Sequence, residues 1–479
     1  IPEAAVREAK EEVTLKAQLA APALQCICER EITLKTVDNT TPYRLSRVSK
    51  TDNSCQYAGV VPPSSFSKTK KYALILSLHG AGVEAIGQAK SYSQKDWAYV
   101  VAATNRRPYG FDWEVWGRKD ALEALDHAMA TFNIAPTKVY LTGHSMGGHG
   151  TWHVGVTTPG RFAAIGPSAG WQSFYTYGGG TKPSGAFARS QAHSDTAVYL
   201  QNLKRRGVYI LHGGADTNVP TSEGKTMYGL VQKVTSDVKY HEEPGKGHWW
   251  DKNKTTPGVD CVDWKPMMDF FKARTLDPHE LDFDFLTPGP WYSGKHSYVA
   301  IKSATDLNKD ARIVSAKTGT TVALTTTNVR GMVLDGAALK KKGVTALTVD
   351  GKAVTLTSAD INWGTLTGKT PGNHGPFNEV MYRPFCLIYD DKGDDKIAQY
   401  AAYVASNWAV VGNGHACAIP LSKFSAAKTT GYNLIYVGVD SASIKTGTLT
   451  GSWDGAKVTV GGKSHTGVMA FIAFPGKSS

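Results

Sequence analysis

No apolar run in this chain approaches the roughly 20 residues a membrane-crossing helix needs. The strongest runs, ALILSLHG and YVVAAT, are short and end in turn or polar residues, as buried strands do. A spanning helix is therefore not expected. Cysteine is scarce, six in 479 residues, and no two sit at metal-ligand spacing. Cys26 and Cys28 share a face of a strand-like segment, so disulfide geometry keeps them from pairing with each other. Cys55, Cys261, Cys386 and Cys417 are scattered. An even set permits disulfides, and buried thiols fit equally well. Internal repeats and low-complexity tracts are missing, which excludes solenoid, fibrous and disordered classes.

Concentrated charge is missing as well. The net charge is +12, with a pI near 9.2, but the basic residues are spread along the whole chain. The densest groups, Lys68 to Lys71 (KTKK) and Lys340 to Lys342 (KKK), have the form of solvated turns, so a nucleic-acid partner is not expected. The balance remains compatible with an acidic partner such as a polysaccharide or envelope surface. YDDKGDDK (Tyr389 to Lys396) holds four aspartates without the ligand spacing of a calcium loop and reads as a solvated strand-to-helix turn. The chain opens at Ile1 with neither a methionine nor a charged-then-apolar leader, as a removed signal or a trimmed sequence would leave it. A secreted, periplasmic or extracellular location is the expectation.

What is present is a long, ordinary globular composition, 41% hydrophobic and 20% charged. That size calls for two or three domains. Residues 1–20 carry Ala, Val and Leu at helical spacing and predict an amphipathic helix. REITLKTV and PYRLSRVS alternate around DNTTP and predict a hairpin. From Tyr72 six apolar strand-like runs follow: KYALILSLHG, WAYVVAAT, KVYLTG, RFAAIGPSAG, GVYILHGGAD and DVKYHEEPG. Helical stretches such as KDALEALDHAMATF lie between them, and WKPMMDFFKARTL closes the series. This alternation predicts an α/β domain, a mostly parallel sheet with helices on both faces. Beyond it, short Thr- and Val-rich runs with glycine turns predict a β-rich, sandwich-like module. FCLIYDD, KIAQYAAYVASNWAVV, HACAIP and NLIYVGVD predict a small α/β unit, and GAKVTVGGKSHTGVMAFIAF a closing hairpin. The expected division is 1–278, 279–370 and 371–479.

Two pentapeptides of the form G-x-S-x-G compete for a catalytic role. The first, GHSMG, surrounds Ser145; the second, GPSAG, surrounds Ser168. A nucleophilic serine needs a tight strand-to-helix turn that exposes its oxygen and aims the following N–H at the reacting carbonyl. KVYLTG before Ser145 and MGGHGTWHVGVTT after it supply strand and helix, with Pro159-Gly160 as the stop. Ser168 follows Pro167, and no helix comes directly after it. Ser145 is the candidate nucleophile.

Serine needs a base and an orienting acid. In chain order acid then histidine, the next two strand ends offer Asp216 (in GVYILHGGADTNVP) and His248 (in DVKYHEEPGKGHWWD). The alternative for Asp216 is a cap on a helix near Val219. His144 should pack under the elbow; His212 and His241 lie within or at the end of strands, too early for a catalytic loop. An oxyanion hole needs two backbone donors. Met146 follows the nucleophile, and Ala81 lies in the glycine turn of LSLHGAG. Aromatic residues cluster at expected strand ends, among them Trp113, Trp116, Trp171 and Trp249. Their faces would suit an aryl or sugar group, although loop anchoring is the alternative for each.

TGHSMGGHGTW, LSLHGAG and GGADTNVP together resemble the α/β-hydrolase superfamily, in its prolyl-oligopeptidase-like, feruloyl/carboxylesterase and polyhydroxyalkanoate-depolymerase-like branch. The resemblance covers about Arg30 to Leu276, and from His279 onward the chain resembles C-terminal regions of secreted bacterial members. It implies a Ser–Asp–His hydrolase with no metal and no organic cofactor. No β-propeller precedes the hydrolase part, unlike true oligopeptidases, which weakens the peptidase reading. The expected activity is hydrolysis of carboxylic esters, aromatic or carbohydrate-linked ones among them, through an acyl-enzyme on Ser145. The alternatives are a prolyl-oligopeptidase-like serine peptidase and a non-catalytic carbohydrate- or envelope-binding protein on the same scaffold. The later modules hold no second catalytic set, so a chain cut near Asp277, if soluble, is expected to keep activity on a small soluble ester and to lose more on a polymeric or wall-bound one.

Overall fold

A computed structural model describes residues 12–21, 26–35, 40–255, 257–367, 369–371, 377–439, 451–453, 457–460 and 463–466. Two strands open it, β1 (Glu12–Ala21) and β2 (Cys26–Lys35), paired antiparallel from Glu12↔Lys35 to Ala21↔Cys26. Over residues 12–20 this corrects the expected helix; residues 1–11 of that expectation lie outside the described residues. Val13, Leu15, Ala17 and Leu19 alternate with Thr14, Lys16 and Gln18, so the segment also carries period two, and that pattern prevails. It also corrects the expected hairpin. The REITLK part of that run pairs backwards with β1, and β3 (Tyr43–Val48) pairs forwards with β4 (Cys55–Val61).

The six apolar runs become β5 (Tyr72–Leu78), β6 (Ala98–Ala103), β7 (Ile134–His144), β8 (Ala164–Ser168), β9 (Gly207–Gly213) and β10 (Val238–Glu243). With β3 and β4 they form one eight-stranded sheet in the order β10-β9-β8-β7-β5-β6-β4-β3, parallel from β10 to β6. Alternation along β5 splits the core between the two faces. Tyr72, Leu74, Leu76 and Leu78 pack with Trp152 and Leu125 on one side, and Ala73 and Ile75 with Phe271 and Met267 on the other. The helices Val115–Thr131 and Met146–Thr157 supply the first set, and Lys265–Lys272 the second. The protein has an α/β-hydrolase fold.

Downstream, a five-stranded sheet (Phe283–Thr287 at one edge) and a four-stranded sheet (Lys295–His296 at one edge) share a core of Phe285, Ile301, Ile313, Leu324, Met332 and Leu334. The alternating burial of these short strands is what a two-sheet packing requires. A three-stranded parallel sheet and the helix Asp395–Gly412 form the small α/β unit, tied by a Cys386–Cys417 disulfide. The closing hairpin is Lys457–Val460 paired with Lys463–Thr466. Among the described residues no helix is long and apolar enough to cross a membrane.

These later parts interlock with the large sheet. Arg206 donates to Glu280 at 2.7 and 3.0 Å and to the Pro159 carbonyl at 2.6 Å. Asn202 exchanges two 2.7 Å bonds with the Leu286 backbone. On the other flank, Asp52 accepts from Arg106 at 2.5 Å and from the Trp408 indole at 2.8 Å.

Candidate active site

Ser145 sits between β7 and the helix Met146–Thr157 with φ 60° and ψ −120°. A non-glycine residue there is strained, and the strain persists only where the surroundings impose it. The flanking glycines show how. A Cβ on Gly147 would lie 1.9 Å from the Leu78 carbonyl oxygen, one on Gly143 2.4 Å from that of Gly147, and one on Gly148 2.3 Å from that of Ser168. Only glycine lets the turn close that far. The Ser145 N–H donates to the Ser168 carbonyl at 2.9 Å, which fixes the bend. Ser168 has a different environment: its hydroxyl is buried, donates to the Cys261 carbonyl at 2.6 Å and lies 3.0 Å from His144 Nδ1.

Asp216 follows β9, and its carboxylate is buried. Oδ1 accepts from the Asn218 and Val219 N–H groups at 2.9 and 3.0 Å, and Oδ2 lies 2.7 Å from His248 Nδ1. One oxygen of the carboxylate thus caps the turn at Val219, the alternative expected for it, and the other faces His248. Burial alone would raise the Asp216 pKa, but bonds from His212, His248 and Val219 outweigh it and hold the group below the usual carboxylate range. His212 Nε2 stands 3.4 Å from the same Oδ2. His144 is buried beneath the His248 ring at 4.7 Å, and burial pushes it down to about 3, so it is neutral. His241 stacks on Trp264 and pairs with Glu243, away from this group. Among the described residues no hydrogen bond joins the Ser145 hydroxyl to His248.

The turn after β5 lies against the serine. A Cβ on Gly80 would be 3.5 Å from Ser145 Cβ. Ala81 is exposed beside it, and Met146 opens the helix, where its N–H has no intrahelical acceptor.

The tryptophans divide. Trp249 is 51% exposed, with its ring 5.3 Å from that of His144. The other three are corrections to the expectation of a substrate surface. Trp113 is fully buried, donates to the His79 carbonyl at 3.0 Å and fills the space left by Gly150; it holds the turn before Ala81. Trp116 donates to the Met381 carbonyl at 3.1 Å and packs on Trp408, so it anchors the C-terminal unit. Trp171 is buried between His149 and Tyr177. The exposed rings near them are Tyr109, Phe174 and Tyr177. Nothing in the local sequence distinguishes these rings from the buried ones, because what covers a ring, as His79 and Met381 cover Trp113 and Trp116, comes from distant parts of the chain.

A serine at a strained elbow and a buried Asp–His pair, both at strand ends of a mostly parallel sheet, form an arrangement suited to acyl transfer on an α/β-hydrolase fold. Residues 104–274 match the prolyl oligopeptidase family. The chain is similar to a protein of Arthroderma benhamiae described as an uncharacterized secreted protein, 25% identical over 344 residues. That match covers 64% of this chain and 35% of the relative, so the chain spans about a third of that relative's length. Among solved structures it resembles a thermostable esterase (17% identity, 52% of this chain and 68% of that one, TM-score 0.37). It also resembles an acylaminoacyl peptidase of Pyrococcus horikoshii (15% identity, 53% and 45%, TM-score 0.39).

Proposed function

We propose that this protein is a serine hydrolase, a carboxylesterase in which Ser145, His248 and Asp216 act together. The observation that carries the reading is the buried Asp216 carboxylate 2.7 Å from His248 Nδ1, next to a serine held at φ 60°. With Nδ1–H donated to Asp216, His248 Nε2 is left as the base. It takes the Ser145 proton as the oxygen attacks the ester carbonyl, and the Ala81 and Met146 N–H groups receive the oxyanion. The same imidazolium protonates the departing alcohol. Water, deprotonated by His248, then cleaves the acyl-enzyme and returns the serine. Trp249 and the exposed rings of Tyr109, Phe174 and Tyr177 offer faces to an aryl or sugar-linked ester.

Peptide hydrolysis by the same groups is the second reading, favoured by the family match over residues 104–274. An alcohol leaves more readily than an amine, so esters are the first expectation. Secretion is supported by the Cys386–Cys417 disulfide, which suits an oxidising compartment, and by the description of the fungal relative. The net charge of +12 is compatible with substrate held on an anionic polysaccharide or envelope. The test is a hydrolysis panel of aryl esters, acetylated and feruloylated sugars, polyesters and acyl-peptides on the full chain. Faster cleavage of acyl-peptides than of every ester would overturn the esterase reading.

A further inference from the structure

Glu114 lies just before the helix Val115–Thr131, His153 on the helix that follows Ser145, and His193 in the insertion between β8 and β9. One ligand atom from each lies within 4.8 Å of the others. His153 Nδ1 is 3.1 Å from Glu114 Oε1, and His193 Nε2 is 3.2 Å from Oε2. Two ligands bound tetrahedrally to zinc at about 2.05 Å stand about 3.3 Å apart, so this spacing suits a shared ion. His153 is fully buried, and its Nδ1 has no hydrogen-bond partner despite that short contact. Its Nε2 is bonded to the Tyr292 hydroxyl at 2.7 Å. With the proton on Nε2 and donated to Tyr292, the Nδ1 lone pair faces the carboxylate, a repulsive contact that a cation between them would turn into two bonds.

The surroundings prepare the ligands. His149 Nε2 lies 3.0 Å from Glu114 Oε1, and the Ser194 hydroxyl donates to Oε2 at 2.9 Å, so the carboxylate is oriented on both sides. Ser194 also lines a cavity of about 170 Å³ with Phe174, Tyr175 and Asp195.

We infer that Glu114, His153 and His193 form a site for a divalent transition-metal ion of the zinc class. Two imidazoles and one carboxylate match zinc, whereas calcium and magnesium prefer oxygen alone. The ion would join three segments otherwise far apart in sequence and pin the insertion that carries His193 onto the helix behind Ser145. The inference is independent of the substrate.

The test is calorimetric titration of the full, chelator-treated chain with Zn²⁺, with Ca²⁺ as control, alongside melting curves with and without Zn²⁺. Binding of a single zinc ion, a higher melting temperature with zinc and no response to calcium are expected. His193→Gln, at the more accessible edge of the cluster, should lose the zinc signal while staying folded, and His153→Ala should lose it as well. If wild type takes up no zinc, or His193→Gln binds it unchanged, the cluster is a buried imidazole–carboxylate network and the inference is wrong.

Discussion

Asp216 faces two ways at once: Oδ2 lies 2.7 Å from His248 Nδ1, and Oδ1 accepts two backbone N–H bonds from its own loop. Asp216→Asn can keep the loop bonds through its amide oxygen while presenting an N–H to the imidazole. The histidine would then adopt the wrong tautomer. We expect kcat on an aryl ester to fall by about 10⁴, with little change in melting temperature. A drop of less than tenfold would show that another group orients His248.

Ser145→Ala should remove ester turnover down to a residue about 10³ to 10⁴ above the reaction in water, left by binding and the oxyanion donors. Ser168→Ala has a different expected signature. Its hydroxyl is engaged with Cys261 and His144 in the interior, so deletion should cost about 1–3 kcal/mol of stability and leave most of the activity. A serine-directed phosphonate followed by peptide mapping decides between the two, since label on Ser168 would reverse the assignment.

The competition between these serines is legible in the sequence because it turns on local chain geometry. A strand before, a helix after and glycines at 143 and 147 are all nearest-neighbour information. The same holds for the six sheet strands, whose apolar runs are continuous because both faces are buried. The N-terminal strand was hidden because EVTLKAQLA carries both helical and alternating patterns, and only its pairing with Cys26–Lys35 decides between them. The roles of Trp113 and Trp116 were hidden for another reason. Their partners are the His79 and Met381 carbonyls, 34 and 265 residues away, and such contacts leave no trace in spacing. The Glu114, His153 and His193 cluster is equally non-local.

Trp113 and Trp249 are therefore expected to respond oppositely to truncation. Trp113→Ala removes a fully buried indole and should destabilise the fold by about 3–5 kcal/mol, loosening the turn that presents Ala81. Trp249→Ala removes an exposed ring and should leave the melting temperature nearly unchanged while raising KM for aryl esters. Equal KM values for wild type and Trp249→Ala, on aryl and alkyl esters alike, would remove Trp249 from the substrate surface.

Acid should unfold the protein through its buried histidines. In the unfolded chain histidine titrates near 6.5, whereas burial holds His144 down to about 3 and His153 to about 4. Between those values the unfolded state binds more protons, so stability falls as the pH drops. Their stabilising contribution is complete above about 6.5, declines below it, and is exhausted once the pH passes the folded values. Melting temperatures measured in steps from about pH 8 to about pH 4 should be level at first and then fall. A level curve across the whole interval would mean that neither ring is buried in solution.

A chain ending at Asp277 looked self-sufficient from sequence, with its own closing helix, but the contacts across that boundary argue otherwise. The buried Arg206 guanidinium would lose Glu280, Asn202 would lose both backbone partners at Leu286, and His153 would lose the Tyr292 hydroxyl. Removing one member of a buried ion pair alone costs about 3–5 kcal/mol, against a total stability of about 5–15 kcal/mol for a typical domain. The truncated chain is therefore expected to be insoluble or to lack a cooperative melt, and to be inactive for that reason. Glu280→Gln in the full chain isolates the principal contact: it should lower the melting temperature and leave turnover of a small ester intact below the transition. A truncated chain that melts cooperatively and hydrolyses a small ester at the full-length rate would show that the downstream modules only adjoin the hydrolase unit and do not complete it.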